Sequence, residues 1–367
     1  MAGKGNSASS RDVAYVVHPY TNLEVHKSAG PQIITSGKGI YVQDEEGKEY
    51  IEGMAGLWCA SLGFGEVRLV KAAEQQMRTL PFYHVFASKS HLPALDLAEK
   101  LIAIAPVPIS KIFFANSGSE ATDSVVKLVW YYNNALGRPE KKKIISRQRA
   151  YHGVTVAAAS MTGLPFNHRD FDLPIDRIIH TDCPHHYRNG LPGESEQAFS
   201  KRLAINLEQL IEDEGPDTVA AFIAEPVMGA GGVIVPPKGY FEAIQPILKK
   251  YDILFIADEV ICGFGRTGNM FGTETYNLQP DMITIAKALS AAYLPISAVM
   301  LNEKIADVVY ENSGKIGSFG HGFTYSAHPV SAAVALETLS IYEAVSYTHL
   351  RAHETREDRV CRLLLEK

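Results

Sequence analysis

The chain has 367 residues, of which 46% are hydrophobic and 21% are charged, and it carries a formal net charge of −6 at pH 7. This composition is typical of a soluble globular protein, and the acidic balance argues against binding to nucleic acid or to a membrane surface. The four cysteines form no C-x-x-C pair and the first residues contain no apolar signal core, so we expect a cytoplasmic protein without a metal site, whose partners are small molecules.

Taken in chain order, the sequence changes from a hairpin to alternating helices and strands. Ile40, Val42 and Tyr50 flank a polar turn, which predicts a β-hairpin over residues 39–51. From Glu66 onward, apolar runs alternate with amphipathic stretches, which is the pattern of βαβ units. Strands are predicted at residues 111–115, 143–146, 219–224, 253–257, 282–286 and 296–301. Helices are predicted at residues 66–79, 92–104, 120–136 and 194–212, and from Ser331 onward.

The predicted strands are apolar with little alternation, which favours a mostly parallel central sheet covered by helices on both faces. We therefore predict an α/β fold in which residues 63–330 form the large domain. Residues 1–62, with the hairpin, and residues 331–344 are assigned to a smaller domain, of which the second segment is only a beginning. From residue 345 to 367 the composition changes without helix caps or turns, so we interpret this stretch as a foreign tail.

Polar residues stand at the carboxyl ends of four predicted strands. Asp258 follows one strand and Lys287 another, while Glu225 follows a third and the turn at residues 116–119 a fourth. In parallel sheets, ligands bind beyond the carboxyl ends of the strands. The sequence therefore predicts a single site at this edge of the sheet.

Lys287 and Asp258 indicate the chemistry of that site. A lysine at the end of a buried strand must either reach water or be used chemically, because a buried ammonium loses most of its hydration. Pyridoxal phosphate forms a Schiff base with such a lysine and needs an acidic partner for its ring nitrogen. Asp258 can be that partner, and Lys287 can then move a proton between the carbons of substrate and cofactor.

The phosphate and the ring of this cofactor have candidate partners as well. Ser117, Gly118 and Ser119 follow a strand and open a helix, where unpaired amides bind anions. Tyr151 and His152 offer aromatic faces for the ring. Of the two, we predict that His152 stacks on the ring and that Tyr151 faces the substrate.

Other interpretations of single motifs are weaker. Asp258 and the following acid resemble a Walker-B element, but no G-x-x-x-x-G-K-[ST] partner occurs. Residues 263–268 satisfy G-x-G-x-x-G, yet a turn-rich stretch follows where a dinucleotide site needs a helix. Ser119 lacks the G-x-S-x-G context of an esterase nucleophile. His185 and His186 beside Cys183 are more typical of a loop than of a metal site.

Seven motifs occur together in the order found in class III pyridoxal-phosphate aminotransferases, and the chain most resembles their ω-amino acid or amine:pyruvate transaminases. These motifs are Asn116–Ala121, Tyr151–Gly153, Ala224–Val227, Asp258–Val260, Gly263–Gly268, Lys287 and Gly322–Tyr325. The resemblance covers residues 15–344 and implies a fold-type-I transferase. It also implies a ping-pong transamination from an amine or ω-amino acid to a keto acid such as pyruvate.

The same resemblance assigns roles that the residues alone do not. It implies a homodimer with shared active sites, in which Thr324 donates to the phosphate bound by the partner subunit. Glu225 is then expected near the cofactor edge and Val260 beneath the ring, with Trp58 and Tyr20 lining the substrate pocket.

Members of this family continue beyond the Ala-rich helix with a segment that holds an arginine for the substrate carboxylate. We therefore expect the chain to be truncated, and no arginine in it can be assigned that role. Two alternatives to an active transaminase remain open: an inactive fragment of such an enzyme, and an aminomutase or decarboxylase on the same scaffold.

Overall fold

The computed structural model describes residues 6–345 of the chain. These residues form two compact units that divide between residues 67 and 68, whereas the sequence places the boundary between residues 62 and 63. The tail predicted from residue 345 onward lies outside the described residues except for its first residue. None of the helices in residues 6–345 combines the length and the apolar character needed to cross a bilayer.

The first unit combines short helices with a small antiparallel sheet. Its elements are α1 (Ala8–Tyr15), α2 (Leu23–Ala29), β1 (Ile34–Lys38), β2 (Tyr41–Asp44), β3 (Glu49–Ile51) and a helical turn, α3 (Ala55–Trp58). The predicted hairpin is confirmed as β2 and β3, and β1 pairs antiparallel with β2 as a third strand. Asp44 fixes the hairpin turn, because its carboxylate accepts hydrogen bonds from the amides of Glu46 and Lys48 and from the Tyr50 hydroxyl.

The second unit is built on a seven-stranded sheet. Its strands are β4 (Lys111–Ala115), β5 (Lys143–Arg147), β6 (Ile178–Thr181), β7 (Val219–Ala224), β8 (Leu254–Asp258), β9 (Met282–Ile285) and β10 (Ser297–Leu301). The order across the sheet is β4-β10-β9-β8-β7-β5-β6. Only β10 runs antiparallel to its neighbours, so β4 points in the same direction as the other strands. The predicted mostly parallel sheet is therefore confirmed.

Helices cover the sheet and connect its strands. They are α4 (Val67–Thr79), α5 (Leu92–Ala103), α6 (Gly118–Ala135), α7 (Val156–Met161), α8 (His186–Asn189), α9 (Glu196–Glu214), α10 (Tyr240–Lys250), α11 (Gly272–Thr275), α12 (Glu303–Ile316) and α13 (Pro329–Ala344). One apolar core packs α6 and α7 on one side of the strands, and another packs α9 and α10 against β7 and β8. The strands of the centre are buried at every position, which is why their sequences do not alternate.

Candidate active site

The carboxyl ends of β4, β7, β8 and β9 meet at one edge of the sheet. β8 and β9 are parallel neighbours, and Asp258 at the end of β8 pairs with Thr284 of β9. Lys287 comes two residues after the last residue of β9. Glu225 follows β7, which is the neighbour of β8 on the other side. The sheet therefore brings the four predicted groups to one edge, as the sequence predicts.

Asp258 is held in a single orientation by three hydrogen bonds. The carboxylate is buried, with 3% of the residue exposed. Its Oδ1 accepts from the Thr284 hydroxyl and from the Val260 amide, both at 3.1 Å. Its Oδ2 lies 2.7 Å from Nδ1 of His152. A carboxylate offers about four acceptor positions, so one position remains for a further N–H donor.

His152 occupies a different place from the one that the sequence predicts. Its side chain is fully enclosed, and Nδ1 points at Asp258. Nε2 is buried, and no described residue gives it a hydrogen-bond partner, so the proton belongs on Nδ1, where Asp258 accepts it. An enclosed ring presents no face to a ligand. We therefore assign His152 a positioning role behind Asp258 in place of the predicted stacking role. Half-buried Tyr151 is then the aromatic residue that can stack on the ring.

The N-terminus of α6 forms the candidate phosphate site. Ser117 is its N-cap, with a side-chain oxygen that accepts from the Glu120 amide. The following first-turn amides point out of the helix end, where they favour an anion. Gly118 packs tightly here, because a Cβ at this position would lie 3.0 Å from Cγ1 of Val260 and would push that side chain away. This approach brings the helix end against the residues that follow β8.

The loop after β5 is fastened to the same helix end. The Ser119 hydroxyl accepts from the Val154 amide at 3.1 Å and can still donate its own proton. Gly153 has φ of +128°, and a Cβ there would lie 2.5 Å from the Ser119 hydroxyl oxygen. Only glycine fits this position. The contact fixes Tyr151 and the helix end relative to each other.

Glu225 acts on the backbone around it. Its buried carboxylate accepts from the amide of Tyr151 and from the amide of Gly229, each at 3.0 Å. Burial raises the pKa of Glu225 above its ordinary value. The backbone oxygen of Glu225 accepts from the fully buried Arg147 guanidinium at 2.7 Å. Arg147 ends β5, and nothing in the sequence distinguishes it from the other cations near this strand.

Lys287 has a strained backbone. It begins a short 3-10 helix (Lys287–Ser290) with φ of +48°, a conformation that is uncommon for a residue with a side chain. The side chain is half-buried and belongs to the same sheet edge as Asp258. Such strain is found at sites where the surrounding structure dictates the position of a functional group.

Glu259, next to Asp258, is fully buried and belongs to the Asp258–Val260 motif. Its carboxylate accepts from the amides of Gly272 and Thr273 and from the Thr273 hydroxyl, so it holds the N-terminus of α11. Burial raises the pKa of Glu259 to about 7, against the lowering effect of these donors.

The remaining predicted residues are Thr324 and the two aromatic residues of the first unit. Thr324 is exposed, in the segment between α12 and α13. Tyr20 and Trp58 belong to the first unit. Trp58 ends α3, where all four residues have φ between +46° and +71°, a left-handed turn that costs about 1–2 kcal/mol for each residue other than glycine. The assignment of both aromatic residues to a substrate pocket stays a prediction.

The residues at the sheet edge fit pyridoxal phosphate. The anion site at α6 and the acceptor position left on Asp258 are complementary to the two polar ends of that cofactor, a phosphate and a ring nitrogen. Gly118 and Gly153 let the helix end pack closely against Val260 and let the loop after β5 pack closely against Ser119. Lys287 supplies the amine.

Comparison with known proteins identifies the family of this chain. The family model described as aminotransferase class-III matches residues 24–360. A mitochondrial gamma-aminobutyrate transaminase 1 of Oryza sativa subsp. japonica is 60% identical over 325 residues, which are 88% of this chain and 62% of that protein. A vanillin aminotransferase of Capsicum frutescens is 58% identical over 321 residues, 87% of this chain and 70% of that one.

Solved structures give the same result. The ω-transaminase from Pseudomonas jessenii in complex with PMP superposes with a TM-score of 0.92 and 61% sequence identity, covering 92% of this chain and 75% of that chain. A structure described as a transaminase with L-Ala superposes with a TM-score of 0.84 and 64% identity. The chain spans about 62% of the length of the first curated relative named above.

Proposed function

Because this chain belongs to the class III aminotransferase family, whose members use pyridoxal phosphate, we propose that it is part of a transaminase acting on amines or ω-amino acids. In this proposal an amine or ω-amino acid gives its amino group to the cofactor, and a keto acid such as pyruvate then accepts it. The observation that supports the proposal most directly is the position of Asp258 at the end of β8 and of Lys287 two residues after the end of β9, its parallel neighbour.

When bound, pyridoxal phosphate supplies an aldehyde carbon and an electron-withdrawing ring. Ser117, Gly118 and Ser119 would hold its phosphate through the first turn of α6. Asp258 would hold the ring nitrogen in its protonated form, in the orientation that His152 and Thr284 fix. A fixed carboxylate needs no reorganisation during the reaction, which is the advantage of a preorganised site.

Lys287 would serve as the amine that holds the cofactor and as the base that moves a proton at the substrate carbon. The strained turn after β9 determines its backbone conformation, so the Cα atom from which the side chain extends is held in place. Val260 would pack beneath the ring, and Tyr151 would face the ring or the substrate.

We propose a homodimer in which exposed Thr324 donates to the phosphate held by the partner subunit. Cytoplasmic localisation remains our expectation from the sequence. The relatives include gamma-aminobutyrate transaminases and ω-transaminases. Their names indicate which amino-group donors to test.

The test uses the chain of 367 residues, loaded with pyridoxal phosphate. We expect a visible absorbance band that is lost in Lys287→Ala and kept in Lys201→Ala, which removes an exposed lysine from α9. If Lys287→Ala keeps the band, the assignment of the lysine is wrong. Absence of the band from the wild-type chain as well would indicate an inactive fragment.

Activity is measured as alanine formed from pyruvate with putrescine, β-alanine, 4-aminobutyrate or 1-phenylethylamine as donor. We expect Asp258→Asn to lose most of its turnover, while Asp213→Asn, an exposed change on α9, keeps it. An aminomutase or a decarboxylase would consume its substrate without transferring nitrogen to pyruvate. That result would replace the proposed reaction without changing the assignment of the cofactor site.

A further inference from the structure

Three metal-ligating side chains of the first unit converge at one point, outside the candidate active site. Asp12 lies on α1, His26 lies on α2, and His18 lies on the connection between these helices. Nε2 of His18 is 2.8 Å from Oδ1 of Asp12, and Nε2 of His26 is 3.2 Å from the same oxygen. The three ligand atoms all lie within 4.8 Å of one another.

The local structure fixes this convergence. Asp12 and His26 are one turn from the ends of their helices, and the backbone oxygens of both accept the closing hydrogen bonds, from Val16 and Gly30. Tyr20 adopts φ of +52° in the connection. A Cβ on Gly30 would lie 2.8 Å from the Ser9 hydroxyl oxygen, so the end of α2 is packed closely on α1.

Hydrogen bonding holds the second imidazole only weakly. A carboxylate oxygen can accept from both histidines, but the contact of His26 at 3.2 Å is at the long end for such a bond. The two rings lie 4.2 Å apart with both Nε2 atoms directed at one oxygen. Two neutral imidazoles and one carboxylate are a ligand set that suits Zn²⁺ and related ions, and they carry one net negative charge.

The distances allow a metal ion to bind after a small adjustment. With bonds of about 2.0–2.2 Å to nitrogen and oxygen, two ligands of a tetrahedral zinc ion lie about 3.3–3.5 Å apart. The contact of His26 at 3.2 Å needs to widen by about 0.1–0.3 Å, and the contact of His18 at 2.8 Å by about 0.5–0.7 Å. His26 is nearly buried, whereas the side chain of His18 is 29% exposed, which leaves a path for the ion and a fourth position for water.

We propose that Asp12, His18 and His26 form a binding site for a divalent transition-metal ion such as Zn²⁺. The ion ties α1 to α2 through three ligands from separate parts of the chain. Its binding free energy then contributes to the order of residues 8–29, because the ligand positions depend on the folded pair of helices.

The test is calorimetric titration of the full chain with ZnCl₂, at equal cofactor content in all variants. We expect one saturable site per chain. Each of three ligand variants, Asp12→Asn, His18→Gln and His26→Gln, should weaken zinc binding by more than about tenfold. Loss of a residue that only supports a metal ligand already lowers metal affinity by about 10- to 100-fold. Matched controls are Glu24→Gln on the exposed face of α2 and His185→Gln in the second unit, and both should bind zinc like the wild type.

Co²⁺ gives a second measurement that needs no variant. We expect the wild-type chain to produce the intensified visible absorbance of cobalt in a site of low coordination number, and zinc should abolish it. The proposal is overturned if the wild-type chain shows only the spectrum of aqueous cobalt and no saturable zinc binding. It is also overturned if His185→Gln, rather than the three ligand variants, removes the site.

Discussion

Replacing Glu259 by glutamine should change how the stability of the second unit depends on pH. In the folded protein, burial raises the pKa of Glu259 from 4.5 to about 7. Between these values the folded state keeps a proton that the unfolded chain has released, so the free energy of unfolding decreases as the pH rises. The contribution is fully present below pH 4.5 and is lost as the pH passes about 7. The difference between the two pKa values corresponds to about 3 kcal/mol.

Glutamine removes this titration. Between pH 4.5 and 8, the free energy of unfolding of the Glu259→Gln variant should therefore decrease by about 3 kcal/mol less than that of the wild type. With an unfolding entropy of about 2 cal/mol/K per residue over the second unit, this is a relative change in Tm of about 5 °C. The variant also places an amide against one backbone donor, which lowers its stability by an amount that does not depend on pH, so the test is the slope of the pH profile and not its height.

Thermal unfolding followed by circular dichroism from pH 5 to 8 measures the effect. Glu274→Gln, an exposed change on α11, the helix whose N-terminus Glu259 holds, is the matched control and should keep the pH dependence of the wild type. Parallel profiles for Glu259→Gln and the wild type would refute the reasoning. A difference of the opposite sign would mean that the donors of α11 outweigh burial.

Two further changes test the geometry around the candidate cofactor site. His152→Ala should lower stability by about 1–3 kcal/mol, because Asp258 keeps its burial and loses one donor, and titration with pyridoxal phosphate should show weaker binding. Gly153→Ala should lower Tm and cofactor affinity more than Gly137→Ala does. Both glycines have positive φ, but only a Cβ at residue 153 meets Ser119, whereas one at residue 137 meets no atom within 4 Å in the described structure, so equal effects would contradict the packing argument.

The sequence predicted the elements that have a strong periodic pattern and a clear boundary. The central strands were found within one or two residues, because complete burial gives them continuous apolar runs. By contrast, α10 is absent from the predicted elements, because Pro246 inside it suggests a helix break. The helix forms nevertheless, because packing of its apolar face stabilises it. The edge strand β6 was missed because its four residues carry little pattern. The antiparallel direction of β10 depends on partners distant in the chain.

The candidate metal site shows a similar limit. Asp12, His18 and His26 have spacings of six and eight residues, which match no common metal-binding motif. The ligands meet only because the connection between α1 and α2 reverses the chain, and Tyr20 with its positive φ contributes to that reversal. The left-handed turn at Ala55–Trp58 could not be predicted from the sequence either, since three of its four residues have side chains that disfavour this conformation.

His152 shows why a motif can locate a site and still assign its members wrongly. Tyr151 and His152 are adjacent aromatic residues after one strand, and nothing local decides which of them is enclosed. The enclosed residue is His152 because the buried Oδ2 of Asp258, 106 positions later in the chain, needs a hydrogen-bond donor. Once His152 supplies that donor, the carboxylate is oriented by three fixed groups and has one acceptor position left. The acidic partner predicted for the cofactor is therefore a preorganised Asp258–His152 pair, and removal of the imidazole should weaken cofactor binding although the imidazole offers no face to the ring.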